Sequence, residues 1–306
     1  MSASPLGRIV EVAENGRYLA REDGFLVISA AREELGRVAL DDIAAVIATA
    51  PGTTVSCAAL AEMSARGIPF VICGRNFLPS SIVWPVAGHH AQQRRMECQI
   101  YASLPLKKRL WALLIAAKIR HSGAVLAAAG HDEDVFTALA RAVRSGDPEN
   151  VEAQAARRYW PMLLGAEFRR DQESGGINAM LNYGYAVLRA GVARAIVAAG
   201  LHPGLGIFHR HPQNPMPLAD DLMEPFRPFI DQTVLRLVRG GNVSVDPVVK
   251  RALVAVLNLD LSTVHGTSPL NTCLQRLAAS VGESYLAATP ALDLPLPFSA
   301  LPEKGA

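Results

Sequence analysis

The sequence predicts an α+β fold in which a small β-rich part precedes a larger all-α part. Three observations carry that expectation. Over the first ninety residues, apolar and β-branched runs of six to eight residues alternate with turn clusters such as "ENG" and "EDG". From about residue 99 onward, apolar residues recur at three- and four-residue spacing, the signature of helices with a buried face. Half of the 306 residues are hydrophobic and 19% are charged, the composition of a globular chain able to bury a sizeable core.

In chain order, "GRIVEV", "GFLVISA" and "IAAVIATA" read as strands. "TTVSCAALAEMSARG" reads as a helix that opens near a Thr or Ser and closes at Gly67, and "IPFVICG" as a further buried strand. These runs are too short for helices and too continuous for one-sided strands, so several are expected to be covered on both faces. The pattern changes near "PVAGHHAQQRRMECQ", which places a boundary around residues 86–94 and divides the chain into 1–88 and 89–290. His89 and His90 fall at that joint and are expected to be hinge or surface residues. Helices are expected over 99–121, 132–145, 149–172, 178–200, 217–238 and 246–258. For the helix near 149, Asp147 is the expected N-cap, with Pro148 at the first helical position. The prolines of "PALDLPLPFSALPEKGA" predict an extended or disordered tail over 291–306.

Four cysteines without close spacing argue against a disulfide framework or a zinc site. No apolar leader opens the chain, and its most apolar stretches are short or interrupted by charge. A cytoplasmic protein without a membrane is therefore expected. No phosphate-binding loop of the G-x-x-x-x-G-K-[ST] kind is present, so ATP hydrolysis is not expected. With a net charge of only +2, affinity for polyanions has to come from a local patch. Residues 92–121 offer one, with Arg94, Arg95, Lys107, Lys108, Arg109, Lys118 and Arg120 against the single acid Glu97. A solvated helix face is the alternative reading of that run.

The ionisable residues that stand out lie further on. In "EAQAARRYW", Glu152 shares a helical face with Ala155, Ala156 and Tyr159, so it lies on or beside the buried stripe and needs a partner. Arg158 or a neighbouring helix is expected to supply one. In "LADDLMEPFRPFID", either Asp220 or Asp221 projects to the same side as Glu224, with Cβ atoms about 5–6 Å apart. Paired carboxylates repel unless a cation lies between them. Upstream, "HPGLGIFHRHP" holds His209 and His211 two apart, so one of them at most faces a shared site. Carboxylates with one imidazole suit Mg²⁺ or Mn²⁺ better than zinc. Beside a basic surface, such an ion points to phosphodiester chemistry.

These segments, with "INAMLNYGYAVLRAGVARAIVAAGLHPGLGIFH" between them, resemble successive motifs of the CRISPR-associated spacer-acquisition integrase family, in order and spacing over 150–235. The first ninety residues and "GHHAQQRRMECQ" resemble the N-terminal part of its type II form more weakly. The resemblance implies a β-rich dimerisation domain joined to a helical catalytic domain, with Glu152, His209, Asp221 and Glu224 as metal ligands and catalytic groups. By the same likeness, His211 and Asp220 are bystanders, and Asn182, Tyr183 and Tyr185 of "NYGY" are helix-packing and supporting residues. It implies a homodimer that assembles with a small ferredoxin-like CRISPR-associated partner into a heterohexamer, alongside other type II adaptation proteins. That complex would insert short foreign DNA into a CRISPR array by attack of a 3′-hydroxyl on a repeat phosphodiester. A polyanionic substrate makes Arg94, Arg95, Lys107, Lys108, Arg109 and Arg227 candidate DNA contacts, although for Arg227 a structural pairing with Glu224 or Asp231 is the favoured expectation. The competing expectations are a free-standing metal-dependent nuclease and a non-catalytic DNA-binding scaffold with a structural ion.

Overall fold

A computed structural model describes residues 8–74, 79–83, 86 and 91–297. The expected joint residues His89 and His90, and the last nine residues of the tail, lie outside the described residues. The strand-rich part builds two four-stranded sheets. In the first, β1 (Arg8–Val12), β5 (Ile43–Ala48) and β7 (Phe70–Cys73) run parallel, and β8 (Pro79–Val83) closes the edge antiparallel. In the second, β4 (Glu33–Ala39), β3 (Phe25–Ala30) and β2 (Tyr18–Glu22) form an antiparallel meander, which β6 (Thr54–Val55) extends in parallel. Helix α1 (Cys57–Ala65) starts at Ser56, whose Oγ accepts from Ala59 N, and ends at Gly67 with φ +66°.

The continuous apolar character of β5 and β7 has a geometric cause. Val46, Ala48 and Phe70 belong to the N-terminal core, whereas Ile47 and Val71 belong to the core of the helical part. Alternate residues of one strand thus face two different cores, and neither face needs polar side chains. Two polar contacts fasten the same seam. Lys250 Nζ lies 3.3 Å from Glu11 Oε1, and Arg194 Nε donates to Gly67 O at 3.4 Å.

The helical part comprises α2 (Gln92–Ile100), α3 (Leu104–Ala128), α4 (Asp134–Ala142), α5 (Val151–Leu164), α6 (Ile177–Ala198), α7 (Pro217–Met223), α8 (Arg227–Arg239), α9 (Pro247–Ala255) and α10 (Leu270–Ala287). α3 is long and apolar enough to cross a membrane by length and composition, but two-thirds of its apolar window is buried inside the protein. It is a core helix, and α6 is likewise buried along nearly its whole length. One hairpin interrupts the helices, β9 (Asp260–Thr263) paired with β10 (Gly266–Pro269), which the periodicity of the sequence did not signal. Residues 290–297 follow α10 without regular structure but are docked. Leu296 N donates to Ser262 O at 2.8 Å, and Leu292 and Leu294 pack on the core.

Two local expectations are corrected. α5 begins at Val151, not at Pro148, because Asn150 takes the left-handed conformation and its Oδ1 accepts from Ala153 N. Asp147 still reaches the helix end, accepting from Val151 N at 2.9 Å and Glu152 N at 3.1 Å. The expected 217–238 helix is split by a 3-10 turn over Glu224–Phe226, where Pro225 and Pro228 withhold two backbone N–H donors.

Candidate functional site

Three elements bring the ionisable residues together around α3. The helix passes beneath α5 on one side and the α7–α8 junction on the other, and its Lys118 rises between them. Lys118 Nζ lies 2.5 Å from Glu152 Oε1 and 2.6 Å from Glu224 Oε2. Glu152 therefore finds its partner on a neighbouring helix and not in Arg158. Glu224 is almost fully buried, with 4% of its side chain exposed, while Glu152 keeps 27%. Arg227 Nε faces the other Glu224 oxygen at 2.9 Å, off the hydrogen-bond axis, so charge more than direction holds that pair. Burial by itself would raise the Glu224 carboxyl, but the Arg227 and Lys118 charges outweigh it and hold the group below the usual range. Burial would likewise lower the Lys118 ammonium, and Glu224 and Glu152 reverse that.

His209 comes from the loop between α6 and α7. Its Nδ1 lies 2.7 Å from Asp221 Oδ1, and the edge of Trp111 meets its ring at 5.5 Å. The Asp221 contact raises the imidazole above its ordinary value, against the effect of burial. Asp221 itself is fully buried. Besides His209 Nδ1, it accepts from Ile207 N (2.5 Å), Phe208 N (3.1 Å) and His209 N (3.1 Å). Gly206 permits this closure, since a Cβ there would come within 2.5 Å of His209 O.

Asp221 stands apart from the other expected ligands in this geometry. With its oxygens committed to four donors and no solvent exposure, Asp221 fits the role of fixing the loop and aiming His209 better than that of a ligand. Because Nδ1 is engaged, Nε2 is the nitrogen left to face the cleft. Among the described residues, no three His, Cys, Asp or Glu side chains converge tightly enough to hold an ion as they stand. The Lys118 ammonium explains this for the carboxylates, as it already fills the gap between Glu152 and Glu224. The donor set of two carboxylates and one oriented imidazole nevertheless fits a hard divalent ion. In this structure the Lys118 ammonium supplies the counter-charge between the two carboxylates.

The neighbouring residues are committed elsewhere. Asp220 binds Arg189 (Nε 2.7 Å, Nη2 2.9 Å) and Asn214 Nδ2 (2.7 Å), which folds the loop before α7 back onto α6. His211 is exposed, and its Nδ1 accepts from Gln213 N at 3.3 Å. Asn182 accepts from Arg170 at 2.6 Å and donates to Gln172 O at 2.8 Å. Gln99, fully buried, clamps the start of the histidine loop through His202 O, Leu205 O and His202 N, at 2.8–2.9 Å.

Of the candidate DNA contacts, Arg94, Lys108 and Arg109 are exposed and Lys107 is half-buried. Arg95 is corrected. It is 8% exposed, donates to Ala199 O at 2.8 Å and pairs with Glu283, so it joins α2 to α6 and α10 and does not face solvent. Arg227 is likewise held in the site, 4.7 Å over the Tyr185 ring and against Glu224. Lys118, counted with the basic run, is no surface cation.

Sequence reasoning missed a buried acid–phenol cluster behind the carboxylates. Asp231 accepts from Tyr185 OH at 2.5 Å and Tyr159 OH at 3.1 Å, and Tyr185 in turn carries Arg227. The i, i+7 spacing of Glu152 and Tyr159 was the available signal, since it sends both inward. Burial raises Asp231 from 3.8 to about 6, with the two phenols and Arg227 opposing. A carboxyl so raised holds its proton more tightly in the folded chain. Its stabilising contribution is complete below the ordinary carboxylate range and is lost as pH rises through about 6. Asp231→Asn is therefore expected to gain on the parent protein by about 2–4 kcal/mol in relative stability between about pH 4 and about pH 7. Urea unfolding at both pH values checks this, and a pH-independent difference contradicts it.

Two hollows adjoin the site. One of about 170 Å³ is lined by Lys118, Glu152, Tyr159 and Asp231. Another of about 670 Å³ is lined by His209, Asp220, Arg189 and Asn214, and Arg170, Tyr185 and Arg227 border both.

Comparison with known proteins gives concordant results. Residues 10–260 match the family model described as "CRISPR associated protein Cas1". A protein of Neisseria meningitidis serogroup C, "CRISPR-associated endonuclease Cas1", is 38% identical over 253 residues, which cover 81% of this chain and 83% of that protein. Among solved structures, a "Casposase bound to integration product" superposes with a TM-score of 0.79 at 22% identity, over 97% of this chain and 94% of its own. A chain of a "Cas6-RT-Cas1--Cas2 complex" gives 0.75 at 14% identity, over 98% of this chain and 37% of its own. Both likenesses bear on the fold: a strand-rich N-terminal part and a helical C-terminal part.

Proposed function

Because the chain belongs to the CRISPR-associated Cas1 family, we propose that it is a divalent-metal-dependent DNA integrase with endonuclease activity, which inserts short foreign DNA into a CRISPR array. The observation that carries this reading is the pair Glu152 and Glu224, drawn from separate elements and held together by the half-buried Lys118 ammonium beside an Asp-oriented His209. Glu152, Glu224 and His209 Nε2 would hold Mg²⁺ or Mn²⁺. When bound, such an ion neutralises charge on the scissile phosphate and acidifies the attacking hydroxyl.

The chain's own residues do the positioning. Asp221 fixes the rotamer and tautomer of His209. Arg227, seated on Tyr185, holds Glu224 in place. In the joining step, the 3′-hydroxyl of the incoming strand loses its proton and forms a new P–O bond. The repeat's P–O bond breaks, and its 3′-oxygen leaves and takes up a proton. One phosphodiester is made for each one broken, so no nucleotide triphosphate is consumed. Phosphoryl transfer of this kind rests mainly on positioning and charge stabilisation.

Arg94, Lys107, Lys108 and Arg109 supply phosphate contacts that carry no sequence preference and weaken steeply with salt. On this reading the chain works as a homodimer with DNA and a small ferredoxin-like partner protein; that structures sharing its fold include an integration-product complex and a Cas1–Cas2 complex supports DNA and a CRISPR-associated protein as partners. The test is incubation of the protein and that partner with short duplex DNA, a supercoiled repeat-bearing plasmid and Mn²⁺. Joined product is expected, and it disappears in Glu152→Ala and His209→Ala. Cleavage without joining supports a free-standing nuclease instead. Equal joining by both variants and the parent refutes the site.

A further inference from the structure

Immediately before His209 stands an aromatic residue that the scheme above does not use. Phe208 is 48% exposed, yet it is among the most firmly held residues of its loop. Its backbone N–H and those of both neighbours donate to the Asp221 carboxylate. One face of its ring lies flat on Trp111, with centroids 4.3 Å apart and planes within 3° of parallel. Trp111 is 1% exposed and anchored in the core. The result is a rigid aromatic ring presented to solvent, with the imidazole of His209 5.8 Å away and perpendicular to it.

Two cations stand close in the chain to the residues of this stack. Lys107 lies one helical turn before Trp111 on α3, and Arg210 follows His209 in the loop. The two cations are near enough for Arg210 to depress the Lys107 ammonium, although burial is the larger cause of its lowering. Two like charges near each other gain nothing from one another. An unpaired nucleotide has the complementary chemistry, as its base offers a flat π-face for stacking and its phosphate a charge for the cations. Paired bases within a duplex cannot reach such a ring.

Resting on the integrase reading, we propose that Phe208 is the stacking platform for an unpaired base at the DNA end, which places the adjoining backbone beside His209. The rival view is that Phe208 only pins the loop to α3, and Phe208→Leu separates the two because it retains apolar contact with Trp111 but removes the π-face. Affinities are measured for blunt duplex DNA and for duplex carrying a single-stranded 3′ extension, with 2-aminopurine at the unpaired positions. The parent is expected to quench 2-aminopurine. Phe208→Leu should lose the quenching and bind the extended DNA about 5- to 100-fold more weakly, with blunt-duplex affinity within about twofold of the parent, and Phe208→Tyr should restore both. Equal weakening on both DNAs, or unchanged discrimination and quenching, overturns the proposal while leaving DNA binding intact. A parent protein that binds neither DNA overturns the integrase reading together with it.

Discussion

Glu152→Gln and Glu224→Gln are each expected to lower DNA joining by about 10²–10³-fold or more, yet to differ sharply in stability. The shared loss follows from removing one of two negative charges that define the cation position. The difference follows from burial. Glu224 has 4% of its side chain exposed and neutralises both Lys118 and Arg227, so its amide leaves two half-buried cations short of a counter-charge inside the protein. Breaking a buried ion pair in this way costs about 3–5 kcal/mol. Glu152 keeps 27% of its side chain in solvent and, among the described residues, pairs with Lys118 alone, so its amide is expected to cost about 1 kcal/mol or less. Joining rates and urea unfolding of the two variants check both halves. Equal destabilisation would contradict the burial argument, and retained joining would contradict the site.

Lys118→Met should produce the second large effect, and in the opposite sense with respect to metal. The Lys118 ammonium occupies the space between Glu152 and Glu224. Removing it leaves two carboxylates facing across a gap, with only Arg227 to offset Glu224. In chelator, the variant is expected to lose about 3 kcal/mol. Added Mn²⁺ should then restore more stability to the variant than it gives the parent, where an ion must first displace the ammonium. Melting curves with chelator and with Mn²⁺, at a pH where His209 has shed its proton, measure both quantities. An identical Mn²⁺ shift in parent and variant contradicts the competition.

The comparison between these two residues also marks what was legible in the sequence. Glu152 could be read as inward because its helical neighbours at three, four and seven residues are apolar or aromatic. Lys118 could not, because its place in a run of basic residues hid the fact that α3 is a core helix at that point. Spacing paired either Asp220 or Asp221 with Glu224, and the family resemblance chose Asp221. That it spends its oxygens on three backbone N–H groups and an imidazole depends on a loop fold that side-chain spacing does not encode. Arg95 was misjudged for the same reason, as its partners Ala199 and Glu283 are more than a hundred residues away. The buried strands β5 and β7 were legible as two-faced, while the short β6 and the hairpin β9–β10 carry too few apolar residues to show a period.

On the proposed function, Glu152, Glu224 and His209 form a divalent-metal centre, with Asp221 orienting His209 and Lys118 between the carboxylates when no ion is bound. Anomalous diffraction from crystals of the protein grown with Mn²⁺ tests this most directly. A single strong peak is expected among the Glu152 and Glu224 carboxylates and His209 Nε2, with Lys118 turned away and Asp221 still bound to His209 Nδ1. A peak elsewhere, or Lys118 still bridging the two carboxylates at saturating Mn²⁺, would contradict it.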